Sequence, residues 1–187
     1  MDEFLASTEV VDSNSSNIVA IANELQVEDS ILATCRNSFQ FVRDEIAHSF
    51  DEATELVSCR ASEVLEYRTG ICYAKSILLA AILRANRIPA GFGYQRLATD
   101  DSLSNFCLHG FNFVWLHEIG WFAVDARGNR PGIKTFFEPP SESLAFPADQ
   151  PGEQTSDQVL AEPLPQVIAA LQSSRNVVEL ESQLPDW

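Results

Sequence analysis

The chain has 187 residues, with 12 lysines and arginines against 27 aspartates and glutamates, a net charge of −15 and 45% apolar residues. That length and apolar content suit a single core that needs no disulfide staples, and they argue against disorder of the whole chain. A surface this acidic repels phosphate backbones and anionic lipid heads, so neither nucleic acid nor membrane is an expected partner.

The longest apolar run, at 77–83, is far short of the roughly 18 residues a membrane span needs. The acidic start MDEFLASTEV lacks the basic and apolar regions of a secretory signal. Cys35, Cys59, Cys72 and Cys107 read as reduced thiols, and the expected location is cytoplasmic. One domain is expected over 1–187, with a core at about 30–130 and a C-terminal strap at 131–187.

The polar run 12–17 offers several helix-capping side chains, and a short helix is expected at about 16–25. Asp29 or Ser30 caps a second helix reaching Ala47, in which Ile31, Cys35, Phe39, Val42 and Ile46 recur at three- and four-residue steps. A third short helix is expected over 61–67, with Ser62 as its cap, ending at Thr69-Gly70. The stretch CYAKSILLAAILRAN at 72–86 holds strong helix formers and is apolar on nearly every side, the mark of a buried helix. Pro89 cannot continue it.

Aromatic and β-branched residues then give short strands at 90–97, 109–116 and 121–125, the last two joined by His117-Glu118-Ile119-Gly120 at hairpin length. Beyond Gly128 the chain is proline-rich and loop-like, with one helix expected at 164–173 and with Phe136, Phe137, Leu144 and Phe146 packing as a strap over the domain.

Cys72 opens the buried helix directly after Thr69-Gly70-Ile71. Free amides and the positive end of the helix dipole favour an anion there, either a thiolate or an oxyanion; a small core cysteine fits the same position. His109 opens one strand and Asp125 closes the next, sixteen residues on. A hairpin turning between them folds these ends together, so that the carboxylate orients an imidazole facing a thiol. Taken singly, each residue also fits a strand-end or turn role.

Other groupings carry less. Cys72, Cys107 and His109 lack zinc-ligand spacing and a fourth ligand, and Gly91 and Gly93 lack the surroundings of a phosphate loop. No metal and no cofactor are therefore expected. His48 and His117 are expected to be exposed and without a role; Lys75 fits thiolate support, carbonyl capping or a solvated position. Phe111, Phe113, Trp115 and Trp121 read as sheet core.

The segments ASEVLEYRTGICYAKSILLAAILRANRIPA and HGFNFVWLHEIGWFAVDARGN resemble the core of the transglutaminase-like superfamily, in particular its small prokaryotic members and predicted cysteine proteases. The resemblance rests on Gly70, Cys72 and Lys75; on Ile88-Pro89-Ala90; on His109, Gly110 and Phe111; and on Gly120, Trp121, Val124 and Asp125. Phe41-Val42-Arg43-Asp44-Glu45-Ile46 and Phe137-Glu138-Pro139-Pro140 also fit, so the similarity covers roughly residues 8–172. Gly91 stands where many relatives have arginine, and Phe111 where tryptophan is frequent.

The resemblance implies a papain-like (transglutaminase-core) α+β fold, with N-terminal helices and a central cysteine-bearing helix packed on an antiparallel sheet. It further implies a Cys72, His109, Asp125 triad acting on peptide or carboxamide bonds of a peptide, protein or small amide. No glutamine or tryptophan upstream of Cys72 stands out as a second oxyanion donor, which leaves the Cys72 amide as the one candidate. Without a D-x-D-x-D-G calcium pattern, hydrolysis by a protease or amidase is the expected reaction. Protein-glutamine crosslinking and a non-catalytic binding module on the same fold are the alternatives.

Overall fold

The computed structural model describes residues 1–52 and 54–187. Helix α1, Ser16–Leu25, and helix α2, Ile31–Glu45, form where the periodicity puts them. Ser30 is the cap of α2, its hydroxyl accepting the Ala33 N–H at 3.2 Å. The second helix stops two residues short of Ala47, because Ala47–His48 form strand β1 and pair in parallel with β2, Thr69–Gly70. Two-residue strands carry no periodicity in sequence; only the pairing makes them.

Helix α3, Ala61–Tyr67, is present, but Ser62 is not its cap. The Ser62 N–H donates to Asp12 Oδ1 at 3.0 Å, and Glu63 Oε2 accepts the N–H groups of Cys59 and Arg60. Asp12, Val10 and Val11 are buried, so the polar lead-in is docked onto α3. A short 3₁₀ helix, Asp2–Leu5, precedes it.

Helix α4, Cys72–Ala85, is buried at every position from Tyr73 to Arg84. Helices α1, α2 and α3 pack on one flank and the sheet on the other. Gly70 permits the close approach of β2 to the first turn of α4: a Cβ there would lie 2.8 Å from Ala74 Cβ. Arg84, at the far end of the helix, is 2% exposed and donates to the carbonyls of Ala6, Ala90 and Ala161. One guanidinium thereby ties the N-terminal segment, the first sheet strand and the strap to the central helix.

The sheet runs in the order β5 (Gly120–Val124), β4 (Phe106–Leu116), β3 (Ala90–Ala98), β6 (Gln154–Thr155), antiparallel throughout. Strand β4 begins three residues earlier than expected, and β5 ends at Val124, leaving Asp125 just beyond it. The β4–β5 register pairs Asn112 with Val124 and Leu116 with Gly120, so residues 106–111 of β4 extend past the end of β5. There the Leu108 N–H donates to the Pro185 carbonyl at 2.8 Å, while Asp186 grips Arg96 at 2.6 and 2.7 Å.

The expected helix near 164–173 is α5, Pro165–Ser173; a further helix, α6 at Val177–Ser182, was not apparent from the sequence. Its cap is Asn176, whose side chain accepts the Glu179 N–H at 2.9 Å. The strap does pack over the domain. Phe137 is buried between Phe39 and Phe122, and Phe136, Leu144 and Phe146 are half-buried. None of the helices among the described residues is long and apolar enough to cross a membrane. The architecture is α+β, with the cysteine-bearing helix between a helical layer and an antiparallel sheet.

Candidate active site

Two elements line one cleft of about 550 Å³, and a third backs it. The start of α4 contributes Cys72 and the overhanging part of β4 contributes His109, while the turn after β5 sets the fully buried Asp125 against His109. The hairpin brings His109 Nε2 within 2.7 Å of Asp125 Oδ2. Both residues are buried, whereas Cys72 is half-buried and lines the cleft beside His109. With Nε2 committed to the carboxylate, Nδ1 is the imidazole nitrogen left to face the Cys72 sulfur.

Asp125 is held from three sides. Oδ1 accepts the Arg127 N–H at 3.0 Å, and Oδ2 accepts the Ala145 N–H at 2.8 Å in addition to His109. Gly128, at φ +115°, turns the chain just after. Burial opposes ionisation of this carboxyl, but the His109 charge and these hydrogen bonds outweigh it and hold its pKa below the ordinary value. Burial likewise opposes a charge on His109; the Asp125 carboxylate and the Cys72 sulfur outweigh that, raising the imidazole pKa. The Phe146 ring stands edge-on to His109 at 4.9 Å. The positive charge on His109 thus has a buried counter-ion on one side and the Cys72 sulfur on the other.

Helix α4 has no side-chain cap at Ile71, so its first amides, that of Cys72 included, are free for an anion. Lys75 does not sit in solvent. It is 1% exposed, and its Nζ donates to the carbonyls of Arg43 and Ile46. Burial, reinforced by the nearby Arg127, pushes its pKa down to about 7. Of the roles the sequence left open, carbonyl capping is the one realised.

His117 lies in the exposed turn between β4 and β5, as expected. His48 does not follow the expectation for it. It is 7% exposed, sits in β1 rather than at a helix end, and lines the same cleft as Cys72 and His109. Burial, then the nearby Arg127, hold its pKa down to about 3. Arg127 is itself bound to Asp51, which also takes Arg130 at 2.8 Å. Sequence reading missed His48 because a two-residue strand has no pattern. It missed Ala145 and Phe146 because an irregular strap has none either.

Phe111 and Phe113 pack together at 5.2 Å, and Trp115 meets Trp121 edge-on at 5.5 Å, so this run is sheet packing as expected. Among the described residues, no group of three or more His, Cys, Asp or Glu side chains is placed to hold a metal ion.

A helix-borne cysteine and a hairpin-borne histidine in one cleft, with a buried aspartate against the histidine, define the class of cysteine-centred α+β cores. The model of the transglutaminase-like superfamily matches residues 19–126, and the chain belongs to that superfamily. Among solved structures, a putative cysteine protease from Cytophaga hutchinsonii is similar at 16% identity and a TM-score of 0.52, over 66% of this chain and 40% of that one. The periplasmic domain of TgpA from Pseudomonas aeruginosa aligns at 22% identity and a TM-score of 0.46, over 59% of this chain and 42% of that one. Red sea bream transglutaminase aligns at 15% identity and a TM-score of 0.40, over 67% and 26%. This chain thus spans less than half the length of the solved structures it resembles, and the first of them supports the papain-like fold assignment. No curated protein matches it in sequence.

Proposed function

We propose that the chain is a cysteine-dependent acyl-transfer enzyme that hydrolyses peptide or carboxamide bonds. The observation that carries this reading is the 2.7 Å bond between His109 Nε2 and Asp125 Oδ2 in the cleft that Cys72 lines. A binding module on the same fold has no need of all three groups in that arrangement.

In this reading the Cys72 thiolate attacks the carbonyl carbon, and the carbonyl π pair moves onto oxygen, near the Cys72 amide. Collapse of this intermediate breaks the C–N bond as His109 delivers its proton to the leaving amine. Neutral His109 then takes a proton from water, whose oxygen attacks the thioester; release of the acid regenerates the thiolate and the imidazolium. Asp125 keeps the imidazole oriented and balances its charge through both half-reactions. The half-exposed position of Cys72 gives water direct access to the acyl-enzyme, which favours hydrolysis over transfer to a lysine. The acidic surface draws lysine-bearing partners closer without excluding water.

The test is product analysis. An accepted amide or glutamine peptide, incubated with the protein and millimolar primary amine, should give mainly the free acid by mass spectrometry, and Cys72→Ala should give none. A dominant amine adduct would establish transamidation instead.

A further inference from the structure

The tetrahedral intermediate of acyl transfer carries an oxyanion, and sites of this chemistry aim more than one preorganised donor at it. The Cys72 amide is one. Most other polar groups around the cleft are already spent. The Tyr73 hydroxyl donates to the Leu108 carbonyl, Gln95 Nε2 to Phe146 O and Thr155 Oγ1, and the terminal nitrogens of Arg127 to Asp51.

His48 is different. Its strand pairs with β2 so that His48 lies opposite Gly70, two residues before Cys72. Its ring is more than nine-tenths buried and lines the cleft with Cys72 and His109. Nδ1 accepts the Phe50 N–H at 3.4 Å, which places the proton of the neutral ring on Nε2. Among the described residues no acceptor meets that Nε2–H.

We propose that the Nε2–H of His48 is the second donor of the oxyanion hole, acting with the Cys72 amide. The proposal rests on the acyl-transfer reading of Cys72. As the C–S bond forms and the carbonyl π pair moves to oxygen, the two N–H groups hydrogen-bond that oxygen; as the C–N bond breaks, the pair returns and both donors are released unchanged. His48 gives up no proton, so it must stay a neutral donor. Its surroundings keep it so: burial acts first, Arg127, Lys75 and the His109 imidazolium add to it, and only Asp51 opposes them. A neutral buried imidazole is a fixed dipole that does not compete with His109 as a base.

Two reagents separate this role from any other. Iodoacetamide is attacked at a saturated carbon and loses iodide, with no oxyanion formed; p-nitrophenyl acetate acylates Cys72 through one. His48→Phe and His48→Leu keep bulk and remove the donor. They should slow p-nitrophenolate release about 10²-fold while leaving the alkylation rate of Cys72 within about twofold. His48→Gln, which keeps an N–H, should recover part of the loss. Equal falls in both rates would place His48 in support of the thiolate instead, and unchanged rates would place the donor elsewhere; either result overturns the proposal. If Cys72 of the unaltered protein reacts with neither reagent faster than Cys107, the acyl-transfer reading itself fails. A measurement on the unaltered protein is independent of whether the variants fold. Histidine ¹⁵N spectra should show His48 as the Nε2–H tautomer down to pH 5, and an Nδ1–H tautomer or an imidazolium there overturns the proposal.

Discussion

The Ala145 N–H donates to Asp125 Oδ2 at 2.8 Å, the same oxygen that holds His109 Nε2. A residue of the irregular strap thus completes the setting of a carboxylate presented by the hairpin. Its three donors favour the ionised form of Asp125 and so keep a negative charge beside His109.

Replacing that charge is the direct test of its role. Asp125→Asn keeps the shape but removes the counter-ion of the imidazolium. Turnover of an accepted amide should fall by about 10³–10⁴-fold, and the His109 pKa should drop toward the ordinary histidine value. Histidine NMR titration and kcat measure the two effects; a His109 titration identical to wild type would separate Asp125 from the base.

Alkylation should single out one thiol. Burial pushes the Cys35 and Cys59 thiols up to about 12, and burial with the neighbouring Cys72 sulfur pushes Cys107 up to about 11. Cys72 is half-exposed at a helix start and beside His109. Below pH 7, iodoacetamide should therefore modify Cys72 first, as read by peptide mass spectrometry. His109→Ala should abolish this preference and His117→Ala should leave it intact. Equal behaviour of the two variants would remove His109 from the role of base.

Stability should carry the mark of His48 in mild acid. Burial, then Arg127, push the ring's pKa down to about 3 in the folded chain, against about 6.5 in an unfolded one. Between these values the unfolded state binds the extra proton, so stability falls as pH falls, by up to about 1.4 kcal/mol per pH unit. Asp51 and Asp125, whose pKa values are lowered, add their losses only below about pH 4, where unfolded carboxylates begin to protonate. Urea melts at stepped pH should show wild type losing more than His48→Gln between pH 6 and 4. Parallel curves would mean that the ring takes up its proton inside the fold.

Arg84 tests the scaffold apart from the site. Arg84→Met leaves the carbonyls of Ala6, Ala90 and Ala161 without their buried donor, at a cost of about 2–4 kcal/mol. Chemical denaturation should register that loss, while Cys72 keeps its alkylation rate at temperatures where the variant is folded. An unchanged denaturation midpoint would show that these carbonyls find other donors.

The sequence made some of these features legible and hid others for physical reasons. Cys72, His109 and Asp125 stand out because the sequence pattern puts each at or near the end of a regular element, although His109 lies three residues inside β4 and Asp125 just beyond β5. Among the strands, aromatic and β-branched content reveals β3, β4 and β5, but not that β4 begins at Phe106. His48 escapes because its burial comes from pairing with a segment about twenty residues away. The capping of α3 by Asp12 and the grip of Ala145 on Asp125 are likewise tertiary contacts made by irregular chain. Lys75 was visible as a residue of the cysteine helix, yet its direction depends on where α2 leaves two carbonyls open.

The overhang of β4 runs past the end of β5 beside His109, and at Leu108 the Pro185 carbonyl takes the N–H while the Tyr73 hydroxyl donates to the carbonyl. An unpaired edge there is a template on which an extended peptide, or another chain's strand, adds to the sheet. With Leu108 engaged and Asp186 clamped to Arg96, that docking mode is closed next to the histidine. An extended segment of another chain therefore has no free Leu108 N–H to pair with at this end of β4.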